Sequence, residues 1–230
     1  MEGIFMLFKQ AILGVFVTTM FVSFCALANE DSDEEDWFDQ DPQALFDAIN
    51  DGQLTFLDKP PEKPVHHHHN TLLVLPASVK TGWVKLIQCH ENLDEFPSAQ
   101  IVYNKNKIKN IRVTSYKNIE RAWVEGPSVQ LKNIGLKASL CIEADSQALW
   151  PQADGTFLMS NGPFMRKFLD GYFPMRVSMD IKLPPGLNFH SIEPSEQQGF
   201  RVVEGKQDVH FDAWFEGKLT TRIRFKQLPK

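Results

Sequence analysis

The chain has 230 residues, of which 43% are hydrophobic, 11% aromatic and 23% charged, and its 24 basic and 29 acidic residues give a formal net charge of −5. These values exclude collagen-like, coiled-coil, low-complexity and multi-span membrane proteins. They also speak against nucleic acid as a partner, because displacing counterions from a phosphate backbone needs a basic face.

Residues 1–28 read as an export signal. Lys9 precedes the apolar run Ala11–Phe24, and Ala26 and Ala28 supply the small −3 and −1 side chains of a signal-peptidase site. Cleavage after Ala28 would place the mature chain in the periplasm or outside the cell, with no membrane span left. The alternative is an uncleaved N-terminal anchor, since the run borders on spanning length. Thr18, Thr19 and Ser23 weaken that alternative, and the bulk of Phe24 disfavours acylation at Cys25. Cleavage also leaves Cys89 and Cys141 as a pair, which in an exported chain points to a disulfide.

Residues 29–64 divide into three parts. Eight acidic residues between Glu30 and Asp41 make a solvated tail, and no glycine stands where a calcium loop needs one. A short helix is predicted over about 42–51, with Asp41 as cap, Pro42 in the first turn, Leu45, Phe46 and Ile49 on one face, and Gly52 as the stop. Gln53–Leu57 suits a brief strand, and Asp58–Pro64 a stiff proline-rich connector.

From Val65 the period is two. Val65–Leu75, Gly82–Cys89, Ala99–Tyr103, Lys107–Tyr116, Arg121–Glu125, Ser128–Leu131 and Lys137–Glu143 follow as strand candidates with turn residues between them. A second helix is predicted over about 163–170, because Phe164, Met165, Phe168 and Leu169 fall together on a helical projection. Alternation then becomes strict. Met175, Val177, Met179, Ile181 and Leu183 point one way, and Arg176, Ser178, Asp180 and Lys182 the other. Gly199–Val203, Asp208–Phe215 and Lys218–Phe225 read as three consecutive antiparallel strands, the last a basic edge. The fold class is therefore all-β, an antiparallel β-sandwich with two short helices. Residues 65–150 form one β region and 151–230 a helix plus antiparallel strands, either as two units with a seam at Pro151–Gly155 or as one sandwich.

Common catalytic signatures are missing: no G-x-S-x-G, H-E-x-x-H, phosphate loop, dinucleotide fingerprint or C-x-x-C occurs. A hydrolase would have to assemble its site from distant positions. Cys89 and His90 cannot act as a nucleophile pair, since neighbours on a strand point to opposite faces.

The most unusual feature is the run His66, His67, His68 and His69. On a strand, His66 and His68 share one face and His67 and His69 the other. Such a pair could hold zinc or copper with His90 as a further ligand and Glu91 and Asp94 nearby, and His210 with Asp212 is a second possibility. The plain alternative is a polar strand entrance. Adjacent imidazoles would also sense pH. Trp214 shares a strand face with His210 and Asp212, either under the 163–170 helix or as a stacking platform for a sugar or peptide.

The leading functional expectation is an exported, non-catalytic binding or envelope-assembly module whose partner is an envelope protein or a small ligand. A zinc- or copper-binding protein using His66–His69 with His90 is the alternative, and a hydrolase without a recognisable motif is the weaker third.

Overall fold

A computed structural model describes residues 52–169 and 171–227. The export segment, the acidic tail and the helix predicted over 42–51 lie outside these residues. What is described is all-β and sandwich-like, with several sheets.

The larger sheet takes β1 (Thr55–Phe56), β2 (His67–Leu73), β3 (Trp83–Leu93), β4 (Phe96–Val102), β5 (Ile108–Glu125) and β6 (Ser128–Gln147) from the first half of the chain. From the second half it takes β11 (Met175–Lys182), β13 (Phe200–Glu204) and β14 (Asp208–Glu216). Its order is β1-β14-β11-β2-β3-β6-β4, with β13 added on β14 and β5 on β6. A smaller sheet has the order β12 (Leu187–Glu193), β15 (Leu219–Gln227), β8 (Thr156–Phe164) and β7 (Leu149–Pro151). The remaining strands, β9 (Arg166–Phe168) and β10 (Gly171–Phe173), form a hairpin of their own. Among the described residues the one helix is a single turn, α1 (Ser78–Thr81), and none is long and apolar enough to cross a membrane.

The inner faces of both sheets close one core, in which Phe211, Phe215 and Met175 of the large sheet and Phe225, Met159 and Leu149 of the small one are fully buried. The strict alternation read in Met175–Leu183 is borne out: Val177, Met179 and Ile181 are wholly buried. Burial of large apolar side chains at about 25 cal/mol per Å² supplies the main driving force.

Several features differ from the sequence reading. First, residues 163–170 are not helical. Phe164 ends β8, paired opposite Leu219, and Arg166–Phe168 pairs with Gly171–Phe173. Phe164 is buried whereas Phe168 is exposed, so their helical spacing is coincidental and long-range pairing overrides it. Second, β14 and β15 do not pair. The turn Glu216-Gly217 carries the chain from one sheet to the other, with Gly217 at φ +84° and so close to Gln53 that a Cβ would stand 2.0 Å from its carbonyl oxygen. Third, β15 is therefore central in its sheet rather than a basic edge, and Arg222 lies opposite Glu193 of β12. Fourth, β2 runs parallel to β11 in an otherwise antiparallel arrangement. More than a hundred residues separate these two strands, and only such a long connection lets them run in the same direction.

The segments read as separate strands between Lys107 and Glu143 merge into two long ones, β5 with 18 residues and β6 with 20. The intervening polar residues bend the ladder instead of ending it. Asn110, Asn118, Asn133 and Lys137 adopt positive φ, and the β5–β6 register shifts three times.

Cys89 of β3 stands directly opposite Cys141 of β6, with Cα atoms 4.2 Å apart, and the two form a disulfide spanning 52 residues. For a loop of this length the chain-entropy account gives about 4 kcal/mol. Urea denaturation of the Cys89→Ser/Cys141→Ser variant is expected to show a loss of that order. An unchanged midpoint would mean that the reduced chain is already held in place without the bond.

Candidate functional site

Strand β2 lies between β3 and β11, so its alternation sends neighbouring histidines into different environments. The inward stripe is His66, His68, Asn70, Leu72 and Val74, all buried. His90 of β3 faces the same way and lies opposite His68 in register. The structure thus brings His66, His68 and His90 together at 8%, 4% and 3% exposure. His67 and His69 do not join them.

The buried group is a hydrogen-bonded chain. The Tyr103 hydroxyl donates to Gln88 Oε1 at 3.0 Å, which fixes the amide so that Gln88 Nε2 donates to His90 Nε2 at 2.8 Å. His90 must then carry its proton on Nδ1 and donate it to His66 Nε2 at 2.9 Å. Alongside, His68 Nε2 donates to Asn70 Oδ1 at 2.9 Å and its ring meets the edge of Phe164. Burial holds the His66 pKa down to about 4 and that of His68 to about 3, and pushes His90 well below its usual value. Repulsion between the rings is the smaller cause at His68 and His90, while at His66 Asp94 opposes the shift and Arg166 adds to it. All three imidazoles are neutral at pH 7, and being paired is what makes their burial tolerable. Both nitrogens of His90 are used in these bonds, and among the described residues no three His, Cys, Asp or Glu side chains are arranged to hold a metal ion.

The outward stripe of β2 meets the polar faces of β11 and β14. His67 Nε2 lies 2.7 Å from Ser178 Oγ, and its Nδ1 lies 3.5 Å from Glu91 Oε2. The Asp180 carboxylate is bridged by two imidazoles, with His69 Nε2 at 2.7 Å on one oxygen and His210 Nδ1 at 2.9 Å on the other. Arg176 grips both oxygens of Asp212, and its guanidinium lies 5.2 Å above the Trp214 ring. Burial acts to raise the Asp180 pKa, but the two imidazole hydrogen bonds outweigh it and hold the group below the ordinary carboxylate range. Burial, followed by the charge of Arg176, lowers that of His67. Ser178 and His67 are more buried and Glu91 is well exposed, whereas His69, Asp180, His210, Arg176 and Asp212 remain about one-fifth to two-fifths exposed.

Two sets of residues that stood apart in the sequence, His67 with His69 and His210, Asp212 with Trp214, are thereby joined on one face. The link is Arg176, Ser178 and Asp180, which the alternation by itself marks only as the wet side of a strand. Their signal was that alternation, but nothing local showed that β11 would lie between β2 and β14.

Ser178, His67 and Glu91 have the order of a nucleophile, base and orienting acid. The arrangement lacks what acyl transfer also needs. Ser178 is 4% exposed, and β11 is hydrogen-bonded along both edges, so its own backbone N–H groups are taken up by the ladder.

No known family's profile matches this chain, and no curated protein matches it. Among solved structures it is similar to a variant of a two-domain M1 zinc metallopeptidase crystallised with L-tryptophan, at 10% identity and a TM-score of 0.37. The match covers 77% of this chain and 43% of that one. A likeness at this level carries no statement about activity.

The buried histidines set an acid limit. In the unfolded chain they bind protons near pH 6.5, but in the fold only near or below 4, so between those values the unfolded state binds more protons and stability rises with pH. Their contribution is complete above pH 6.5 and is lost as pH falls toward 4, by about 1.4 kcal/mol per pH unit for each histidine. Urea denaturation between these limits is expected to show that slope, reduced by one histidine's share in His68→Gln. An identical slope in the variant would place the sensitivity elsewhere.

Proposed function

We propose that this protein is an exported, non-catalytic binding module of the cell envelope, and that the outer face of β2, β11 and β14 holds its ligand. One observation carries the reading. Trp214, stacked under the Arg176–Asp212 pair, lies on the same solvent-reached face as the His69–Asp180–His210 bridge. An aromatic ring beside alternating donors and acceptors in one plane suits a glycan, whose C–H faces stack while its hydroxyls both give and accept hydrogen bonds. The export signal and the oxidised Cys89–Cys141 pair are consistent with an extracytoplasmic setting.

Tryptophan fluorescence of the mature protein, titrated with soluble envelope oligosaccharides, tests this reading. Saturable quenching is expected. Trp214→Phe should remove the response while the other tryptophans remain, and Asp212→Asn should weaken binding about tenfold by loosening the guanidinium. A response that survives in Trp214→Phe would move the site off this face.

A second reading, assembly on another envelope protein, rests on the β9–β10 hairpin. Phe168, Leu169 and Phe173 are 46%, 75% and 41% exposed, and Phe168 and Phe173 line a groove of about 280 Å³ together with Phe96. Arg166 pins the hairpin to Asp94 through two hydrogen bonds of 3.0 and 2.6 Å. Exposed apolar groups clustered in this way mark contact surfaces. If assembly is the role, Phe168→Ser/Leu169→Ser abolishes co-purification of a partner and leaves the glycan response intact.

A further inference from the structure

A cavity of about 50 Å³ lies beside the buried histidine chain, with Leu72, Leu86 and Phe164 as apolar walls and Asn70, Gln88 and Asn161 as polar ones. Its polar groups are not balanced. Gln88 is engaged at both ends, by Tyr103 and His90. Asn70 has its carbonyl oxygen taken by His68, so what it can offer a guest is its amide N–H. Asn161 is 4% exposed, and its Nδ2 has no hydrogen-bond partner. Thr221, opposite Asn161 in register on β15, also has an unpaired hydroxyl but does not line the cavity. Leaving a buried donor unmet is costly, and native structures do so rarely. The cavity therefore offers N–H donors. Lys107 also borders it, and no acidic side chain does.

We infer that this cavity is a binding site for a small carboxylate. The volume equals roughly three or four water-sized positions, which matches a two-carbon acid. Its oxygens meet Asn161 Nδ2 and Asn70 Nδ2, and its methyl group rests on Leu72, Leu86 and Phe164. The site is separate from the outer face proposed above, lying on the opposite side of the large sheet, and it does not depend on that reading.

Acetate is the probe. Side-chain amide resonances of the mature protein are followed by NMR during titration with sodium acetate, with ionic strength held constant by sodium chloride. Saturable shifts of the Asn70 and Asn161 amides in the millimolar range are expected. Acetamide, which has the same shape without the charge, should bind about tenfold more weakly. Asn161→Leu, similar in size and without the donor, should lose about tenfold in acetate affinity, whereas Thr221→Val should bind as the wild type does. Three results would overturn the assignment: equal shifts with chloride alone, equal affinity for acetamide, or crystals soaked in acetate that show only water between Asn70 and Asn161. The first two need only the wild-type protein, so the test stands even if a variant fails to fold.

Discussion

The parallel pairing of β2 with β11 is the constraint from which the site follows. A strand has two faces, and a run of four histidines on it must divide between them. Had β2 been an edge strand, the outward pair would have lacked polar partners on one flank. Inserted between β3 and β11, it places His67 and His69 within reach of Ser178 and Asp180, residues 111 positions further along the chain. β11 in turn carries Arg176 to Asp212 and Trp214. One non-local ladder thus converts an isolated sequence oddity into a connected surface.

The inward pair has a different logic. Apolar residues at positions 66, 68 and 90 would fill the same space without a desolvation cost, so the polar chain there is stabilising only while every member is satisfied. The chain from Tyr103 through Gln88 and His90 to His66 meets that condition, and each group fixes the donor and acceptor roles of the next. The structure departs from this rule at Asn161 and Thr221, the two described positions with unmet buried side-chain groups. A polar chain that is otherwise complete, beside a wall that is not, distinguishes a structural network from a space shaped for something else.

Much of the fold was legible because period-two alternation is a local signal. β11, β14 and β15 each bury the residues their sequences nominate, and the convergence of His66, His68 and His90 follows from alternation plus one correctly placed neighbour. The failures share a different cause. Phe164, Met165, Phe168 and Leu169 satisfy a helical projection, although the chain there ends one strand and begins a hairpin. Glu216-Gly217 resembles any tight turn, and only the distant partners of the strands on either side, β11 for β14 and β8 for β15, show that the chain changes sheets there. Pairing between strands a hundred residues apart leaves no trace in either strand, so the joining of the two outward sets could not be read in advance.

The outermost strand of the large sheet has a consequence beyond its own stability. With 18 residues and, among the described residues, one flank unpaired, β5 would ordinarily be a template on which a second chain could add in register, then a third. The kinks at Asn110 and Asn118 break that row of donors and acceptors into short stretches that no straight segment can follow for long. The bends therefore make this rim a poor template for a straight partner strand, a disruption supplied by a few asparagines instead of a covering helix.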